Sequence, residues 1–483
     1  MTDAMLIAVA LALPVAAALL IVLCHRSPNW RESISIVAAG ASLAAVSTLV
    51  PSVLSGASPA SRWFELFPGL AIEFRVEPLG AMFAVIAAGL WLVSMVYSIG
   101  YMRGNKEPHQ TRFFACFALA IACTVGIAFS GNLLTLFLFY EALTLVTYPL
   151  VTHHGNDEAR RGGRTYLATL LLTSTVLLLP ALVATWWVAG TLDFVPGGIL
   201  GGKVSGVGAT LLLVLFMFGI GKAALMPFHR WLPAAMVAPT PVSALLHAVA
   251  VVKAGVFAIV KVIVYIFGVD ASGANFAWLP LVAGFTIIAA SVVALRADNL
   301  KRRLAYSTIS QLSYVIMASA LLTPISIIGA AFHIAAHAVS KITLFFAAGA
   351  IYTATHKTQV SELDGIGRRM PWTIGAFSVA ALSMIGLPPT AGMVSKWYML
   401  SGAFQAEHWI ALAVIVASTL LNAGYFLPIV YRAFLLAPAA NEATHGEAPW
   451  TMVLALVVTA SLTILMFFFA DVPIGLARGL VEK

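Results

Sequence analysis

Uninterrupted apolar runs of about 20 residues follow one another along the whole of this chain. A helix of that length spans the ~30 Å hydrocarbon core of a bilayer, so each run predicts a membrane-crossing helix. The 483 residues are 61% hydrophobic and only 10% charged, whereas soluble domains carry about 25% charged residues. The runs do not alternate polar and apolar residues, as strands of an outer-membrane barrel do. The sequence therefore predicts an all-α polytopic membrane protein.

About fourteen transmembrane helices can be traced, with thirteen or fifteen as alternatives because the boundary at Gly131-Asn132 is indistinct. The first run is interpreted as a helix and not as a signal peptide, since its basic residues, Arg26 and Arg31, follow it. The predicted spans are 4–24, 33–54, 78–101, 112–131, 132–153, 164–189, 208–230, 240–268, 275–296, 301–322, 326–355, 372–404, 408–436 and 449–471.

Lysine and arginine are distributed unevenly between the loops that join these helices. Seventeen lie in the odd-numbered loops, and five lie in the even-numbered loops and the tails. Because cytoplasmic loops carry the excess of basic residues, this split predicts both termini on the outer (periplasmic) side of a bacterial inner membrane. The net charge of +8 follows this orientation, so no nucleic-acid partner is predicted.

The remaining five basic residues fall inside predicted helices. Each would cost about 2.5–3.5 kcal/mol at the bilayer centre, so such residues are expected to face the protein interior and to serve the function. They are Lys222, Lys253, Lys261, Lys341 and Lys396.

Prolines and glycines interrupt the seventh and twelfth helices near two of these lysines. Lys222 is followed by Pro227 and Pro233, and Gly386-Leu387-Pro388-Pro389 precedes Lys396. Unwound backbone at membrane depth is tolerated where it is buried in protein or lines water, as in transporters. One broken helix in each half predicts an inverted repeat. The expected domains are helices 1–3 (1–111), the first repeat (112–268), the second repeat (275–436) and a C-terminal helix with its tail (437–483).

Glu141, in the fifth helix, is the acidic counterpart of Lys222. An acid and a base at lipid depth lower each other's desolvation cost by pairing, and a proton arriving nearby would change that pairing. The pair is interpreted as a switch, with a static structural ion pair as the alternative.

His333, His337 and Lys341 recur every four residues and therefore share one helical face over about 12 Å of rise. Histidine both donates and accepts a proton near neutral pH, so this stripe predicts a relay, although a single histidine would more often be a satisfied core residue. Further relay candidates are His229, His247 and Lys261; for Lys261 the alternative is a side chain that snorkels to the interface.

No cofactor or metal site is predicted. The three cysteines form no CxxC pair, and Gly219-Ile220-Gly221-Lys222 lacks the spacing of a phosphate-binding loop. A redox or hydrolytic role, if the protein takes part in one, is therefore expected only through other subunits.

Several motifs together resemble the antiporter-like subunit family over roughly residues 75–435. This family comprises large membrane subunits of respiratory complex I, of Mrp-type Na⁺/H⁺ antiporters, and of membrane-bound hydrogenase and formate hydrogenlyase complexes. The matching runs are Phe139-Tyr140-Glu141-Ala142, Gly221-Lys222 through Pro233, Pro239-Thr240-Pro241-Val242-Ser243-Ala244-Leu245-Leu246-His247-Ala248, His337-Ala338 with Lys341, and Gly386-Leu387-Pro388-Pro389 with Lys396.

The resemblance implies a subunit without cofactors that moves protons, alone or in exchange with Na⁺, beside other membrane subunits in the lipid bilayer. It assigns Glu141 and Lys222 to a switch pair, and Lys253 to a bridge between two half-channels. It assigns the His333–His337–Lys341 stripe to the central relay and Lys396 to its terminal group.

The family resemblance also implies a fold of fourteen helices with two inverted repeats of five helices each. Among the branches of the family, it favours an ion-translocating subunit of an Mrp-like antiporter or of an energy-converting hydrogenase or NADH dehydrogenase-like complex. Lys396 differs from the glutamate at that place in one complex I subunit, and the lateral-helix extension of the most distal complex I subunit is not expected. Two other functions are alternatives. One is a stand-alone secondary transporter, and the other is an energising or scaffold partner, for example in inorganic-carbon uptake.

Overall fold

Helices cross the molecule in the order that the apolar runs predicted. The computed structural model describes residues 2–67, 69–271, 273–438 and 445–481. Within those residues eleven helices are long and apolar enough to cross a membrane, and the shorter or less apolar seventh, tenth and twelfth helices occupy the places of the other predicted crossings, so the predicted all-α polytopic fold is confirmed. Their bounds are Asp3–Leu23, Pro28–Leu54, Pro78–Gly104, Gln110–Ala128, Leu133–Val151, Asp157–Ala189, Gly206–Gly219, Thr240–Phe267, Trp278–Arg296, Leu300–Ala320, Pro324–Thr355, Pro371–Ile385 with Ala391–Gln405, Trp409–Leu435 and Trp450–Phe468.

The eighth and eleventh helices form the centre of the bundle. Thr240–Phe267 is buried along its whole length, and the eleventh helix is buried from Ser326 to Ile351. By contrast, only about a third of the first, second, thirteenth and fourteenth helices is buried. A side chain on a central helix meets protein in every direction, which is the setting in which charged groups persist at membrane depth.

The seventh helix is broken, as predicted, but the break begins before Lys222 and not after it. The regular helix ends at Gly219, and Lys222 lies in a single 3₁₀ turn. A Cβ atom on Gly219 would lie 2.5 Å from the backbone nitrogen of Leu178. Glycine therefore allows the end of this helix to pack directly against the sixth helix, where a π-helical turn spans Ser174–Leu178.

The twelfth helix is broken at the predicted Gly-Leu-Pro-Pro sequence. Its first segment ends at Ile385, and Gly386 takes a positive φ of 93°, which glycine adopts without the steric cost of a side chain. The second segment begins at Ala391 and carries Lys396 on its second turn. In each five-helix stretch of the predicted repeats, the broken helix is thus the fourth.

Two elements were not predicted from the sequence. A β-hairpin joins the second and third helices, with antiparallel strands Ala60–Phe67 and Leu70–Arg75. A short helix, Asp471–Arg478, follows the fourteenth membrane helix. Residues 439–444 of the predicted C-terminal domain, and Lys483 from the charge count, lie outside the described residues.

Candidate functional site

Lys222 is held against the fifth helix by the break in the seventh. Its ammonium donates to the backbone oxygen of Tyr140 at 2.7 Å and to Thr144 Oγ1 at 2.6 Å. It also lies 3.2 Å from the centroid of the Tyr140 ring, and the Tyr140 hydroxyl accepts from the Lys222 backbone N–H at 3.0 Å. Lys222 is fully buried, and these neutral oxygens and the aromatic face satisfy it.

Glu141 does not form the direct ion pair with Lys222 that the sequence predicted. It neighbours Tyr140 in the chain, yet it lies on the same side of the fifth helix as the exposed Leu138 and Leu145. Its carboxylate still acts electrostatically on Lys222. The break carries Lys222 to Tyr140 and Thr144, whereas Glu141 lies on a half-buried side of the fifth helix, with its Oε1 buried and without a hydrogen-bond partner among the described residues.

Lys253 and His337 join the two central helices. The Lys253 ammonium hydrogen bonds with Nδ1 of His337, and both side chains are almost fully buried. The sequence identified both residues as relay candidates but contained no signal that they would touch. Two groups that each gain and lose a proton can pass one directly across such a contact.

The histidine stripe of the eleventh helix continues from His337 towards the twelfth helix. The rings of His333 and His337 are 5.9 Å apart between centroids. Nδ1 of His333 hydrogen bonds with Ser395 Oγ at 2.9 Å, and Ser395 directly precedes Lys396. Nε2 of each ring is buried and meets no hydrogen-bond partner within the described part of the chain. A buried ring nitrogen of this kind is available to a water or a proton.

Lys341 points away from the histidines, towards the tenth helix. Its ammonium donates to Ser307 Oγ at 2.9 Å and lies 3.4 Å from the backbone oxygen of Leu304. The three members of the stripe therefore share a helix but contact three different helices. One continuous file of contacts through His333, His337 and Lys341 is not what the structure shows.

Lys396 reaches back across the break in its own helix. Its ammonium donates to the backbone oxygen of Ile385 at 2.7 Å and to Thr419 Oγ1 at 3.1 Å. Ile385 is the last residue of the first segment, so Lys396 lies at a helix C-terminus, where the helix dipole favours a cation. Lys222 and Lys396 are thus each held at a helix break by a backbone oxygen and a threonine hydroxyl.

Lys261 does not snorkel. Its ammonium pairs with Glu77 Oε2 at 2.8 Å and donates to the backbone oxygen of Ser130 at 2.9 Å, with the Phe194 ring centroid 3.8 Å away. Sequence reasoning missed Glu77, although it directly precedes Pro78 at the start of the third helix. A carboxylate at the edge of an apolar run was the signal that could have found it.

The remaining two candidates are histidines near the eighth helix. His247 is fully buried in a π-helical turn, Leu245–Val249, and its ring centroid lies 4.9 Å from that of Phe345. His229 is half-buried in the irregular segment after Lys222, where Nδ1 hydrogen bonds with the backbone oxygen of Pro227 at 3.2 Å. Neither touches the other relay candidates directly in the described structure.

A polar pocket of about 340 Å³ opens at the end of the bundle that carries the basic loops. His154 and Glu107 line it and approach to 3.3 Å, and this contact raises the pKa of His154. Thr240, the first residue of the eighth helix, also lines the pocket. The pocket was not predicted from the sequence, because its residues come from loops far apart in the chain.

Among the described residues, no group of three or more histidine, cysteine, aspartate or glutamate side chains is arranged so that it could hold a metal ion. The fold and the site together define a class: a polytopic membrane protein with two broken helices and lysines and histidines buried along its centre.

Residues 130–423 match the family described as NADH:quinone oxidoreductase/Mrp antiporter, transmembrane, and residues 63–114 match the N-terminus of chain 5 of NADH-ubiquinone oxidoreductase (complex I). The chain belongs to the NADH:quinone oxidoreductase/Mrp antiporter family, as an antiporter-like membrane subunit. The predicted family is therefore confirmed.

Relatives come from more than one branch of the family. The N subunit of NADH-quinone oxidoreductase from Desulforudis audaxviator is 34% identical over 376 residues, which are 76% of this chain and 74% of the relative. The D-type subunit of a Na⁺/H⁺ antiporter from Alkalihalophilus pseudofirmus is 26% identical over 83% of this chain and 81% of its own length. A chain in the Mrp complex of a Dietzia species has the same fold, with a TM-score of 0.88 at 21% identity, covering 99% of this chain and 97% of that one. Partners of such a chain are other membrane subunits of a multi-subunit complex.

Proposed function

We propose that this subunit moves protons, alone or in exchange with Na⁺, along a buried relay of lysines and histidines. The residues that we assign to the relay are Lys222, Lys253, His337, His333, Lys341 and Lys396, with Glu141 as the switch beside Lys222. The contact between Lys253 and His337 is the observation that carries the proposal, because it connects the two central helices through groups that exchange protons.

The polar pocket supports an entrance to this relay from the cytoplasmic side. From Thr240 in the pocket wall, His247 lies seven residues deeper along the eighth helix, or about 10 Å of rise. His247 packs against the ring of Phe345, which is one turn from Lys341 on the eleventh helix. A proton that reaches His247 from the pocket is therefore near the central part of the relay.

The half-buried position of Glu141 between the exposed Leu138 and Leu145 supports a neighbouring subunit on that face. Its Oε1 has no hydrogen-bond partner among the described residues, and an unpaired carboxylate near the middle of the bilayer costs about 2.5–3.5 kcal/mol on insertion scales. A partner helix that covers Leu138, Glu141 and Leu145 would remove this cost and could change the charge near Glu141. Through this face a neighbouring complex could couple its driving reaction to Glu141.

The position of the helix breaks supports the proposed domain arrangement. Five crossings are an odd number, so the second repeat (275–436) starts on the side opposite to the first (112–268). Lys222 and Lys396, one in the fourth helix of each repeat, would then open towards opposite sides of the membrane. The distribution of basic residues supports a bacterial inner membrane with both termini outside.

The direct test is proton transport by the whole complex in proteoliposomes, with Lys253→Met in this subunit. Methionine keeps the length and apolar body of the side chain but cannot carry a proton. We expect transport to fall at least tenfold, while Lys203→Met, at an exposed loop lysine, leaves it unchanged. Normal transport by assembled Lys253→Met complexes would refute the relay.

A further inference from the structure

A second set of polar contacts leaves Lys341 on the side away from the histidines. Ser307 Oγ, which accepts from Lys341 at 2.9 Å, lies 3.2 Å from the hydroxyl of Tyr425 on the thirteenth helix. The Tyr425 hydroxyl in turn donates to Asn422 Oδ1. All four side chains are completely buried. Burying a hydroxyl, an amide and an ammonium together is costly unless they are mutually satisfied, as they are here.

These contacts lead to the break in the twelfth helix, where Lys396 is held. Asn422 Nδ2 donates to the backbone oxygen of Met384 at 3.1 Å, and Gln311 Nε2 approaches the same oxygen at 3.5 Å. The next carbonyl, that of Ile385, accepts from Lys396. Polar side chains of the tenth and thirteenth helices therefore converge one residue away from the lysine's own acceptor.

Gln311, where these side chains converge, has an amide oxygen that a water molecule could satisfy. Gln311 Oε1 is fully buried and finds no hydrogen-bond donor among the described residues. Buried amide oxygens are nearly always satisfied, and where protein does not supply the donor an ordered water does. A water between Gln311 and Asn422 would lie beside the Tyr425 hydroxyl on one side and the helix break on the other.

We propose that Tyr425 is a proton-relay residue in a second branch of the relay. This tyrosine branch connects Lys341 to Lys396 and runs parallel to the histidine branch. This inference rests on the proposed function and specifies its final stage. The histidine branch runs through His333 to Ser395, whereas the tyrosine branch runs through Ser307 and Tyr425. Asn422 and Gln311 position the hydroxyl and the water, because an amide group does not readily pass a proton on.

The transfer balances at each atom. The Lys341 ammonium gives a proton to Ser307 Oγ while the Ser307 hydroxyl proton passes to Tyr425 Oη. The Tyr425 hydroxyl proton passes to the water, and a proton of that water passes to the neutral amine of Lys396. Each hydroxyl group keeps one proton, so the net change is one proton moved from Lys341 to Lys396. A hydroxyl rotates freely enough to serve both neighbours in turn.

The backbone around Tyr425 is fixed by a buried arginine. Arg303, one turn before Ser307 on the tenth helix, donates to the backbone oxygen of Tyr425 at 3.0 Å. This bond keeps the tenth and thirteenth helices in register where the two hydroxyl groups meet. Pre-positioned donors and acceptors shorten the search that each proton transfer requires.

The test is a double-mutant cycle in proteoliposomes that contain the whole complex. Two parallel branches add their rates, so Tyr425→Phe alone and His333→Gln alone should each keep about a third or more of wild-type turnover. Independent effects of that size would multiply to about a ninth of wild-type turnover, whereas loss of both branches should leave less than about a thirtieth, and this excess loss indicates that the two branches share the work. If Tyr425→Phe causes no further loss in the His333→Gln background, the tyrosine branch is wrong.

Further variants distinguish a loss of proton transfer from a loss of folding or assembly. Ser307→Ala should reproduce the result in both backgrounds while leaving the tyrosine ring in place, which keeps the test valid if Tyr425→Phe assembles poorly. Tyr97→Phe, which removes another buried hydroxyl bonded to a backbone oxygen at 2.8 Å, is the matched control and should leave turnover unchanged. In the His333→Gln background, transport should slow more in D₂O than wild type, because more of the rate then depends on hydroxyl transfers.

The branch and the proposed function can fail separately. Lys396→Met tests the function, since both branches end at Lys396. If Lys396→Met transports normally, the proposed relay is wrong as a whole. If Lys396→Met is inactive but the Tyr425 and Ser307 variants transport normally in both backgrounds, only the second branch is wrong.

Discussion

The ammonium group of Lys253 on the eighth helix meets Nδ1 of His337 on the eleventh, deep within the bundle. The two residues are 84 positions apart, and each belongs to a helix that contacts protein on all sides. Among the lysines and histidines that we assign to the relay, it is the only direct bond between side chains of different helices in the described structure, so interrupting it should reduce transport most.

We expect Lys253→Met and Lys396→Met each to reduce turnover severely, and the double variant to be little worse than the poorer single one. In the proposed relay, protons pass Lys253 before the two branches divide at the eleventh helix and reach Lys396 where the branches join, and effects on a shared path are not additive. Lys396→Glu should retain more turnover than Lys396→Met, because a carboxyl group still exchanges protons. Additive losses, measured as transport rates at matched protein levels, would assign the two lysines to separate roles.

We expect Glu141→Ala or Lys222→Ala to abolish transport while the subunit still inserts and assembles. Glu141 acts on Lys222 through charge and not through a direct bond, so Glu141→Gln should be nearly as inactive as Glu141→Ala. Thr144→Val, which removes only one neutral acceptor from Lys222, should be milder, with a loss of about two- to fivefold. Wild-type transport by Glu141→Gln would show that charge at this position is not needed.

The buried pair of Lys261 and Glu77 makes a prediction about stability. Removing one partner leaves an uncompensated charge, so Lys261→Met or Glu77→Gln should lower the free energy of unfolding by about 3–5 kcal/mol. The double variant should recover much of this loss, since no lone charge remains. Thermal unfolding in detergent measures all three variants. A double variant that is as unstable as the sum of the singles would contradict this interpretation.

The contact between Glu107 and His154 makes a prediction about pH. Glu107 raises the pKa of His154, so the contact stabilises the fold below the ordinary histidine pKa, and this contribution is lost as pH rises through the raised value. For the neighbouring His153, burial lowers the pKa to about 4, and Glu107 opposes that shift. Glu107 favours the protonated form of both histidines, so Glu107→Gln should lower the stability at low pH through each of them.

The Glu107→Gln variant should therefore lose stability relative to wild type as pH falls below about 7, and match it near pH 8.5. The difference should be below about 1 kcal/mol, because the pair is partly exposed to solvent. Melting temperatures of the two proteins between pH 5.5 and 8.5 measure it. A gap that widens with rising pH would give the contact the opposite sign.

The proposed orientation is open to cysteine labelling. After replacement of the three native cysteines, a cysteine beside Arg302 or Arg368 should react only from the cytoplasmic side. A cysteine beside Arg62, in the first strand of the hairpin, should react only from outside. Reversed accessibility would show that the proposed membrane orientation is wrong and that the entrance and exit sides of the relay are exchanged.

The sequence was sufficient for the helices and for the identity of the buried charged groups. Membrane thickness fixes helix length, so apolar runs alone gave the fourteen crossings. Gly386 and the prolines after it gave the twelfth-helix break, because glycine and proline act on the backbone locally. Lysine inside an apolar run is costly wherever the run packs, so its presence already pointed to function.

The contacts of those groups depended on tertiary structure. Whether Lys222 meets Glu141 or the oxygens of residues 140 and 144 depends on where the seventh helix ends, and close packing of Gly219 against the sixth helix decides that. Helical periodicity placed the His333–Lys341 stripe on one face, but long side chains on one face can reach several neighbouring helices.

Glu77 and Tyr425 also have roles that depend on tertiary structure and not on local sequence. Both are visible in the sequence, but nothing local distinguishes Glu77 from a loop carboxylate or Tyr425 from any membrane-helix tyrosine. Only the packing of the eighth helix against the start of the third, and of the tenth against the thirteenth, gives them their partners. The free-energy cost of placing each side chain in lipid acts locally, so it determines which residues form a membrane helix and how long that helix is. Which buried groups contact one another depends on how helices far apart in the chain pack together.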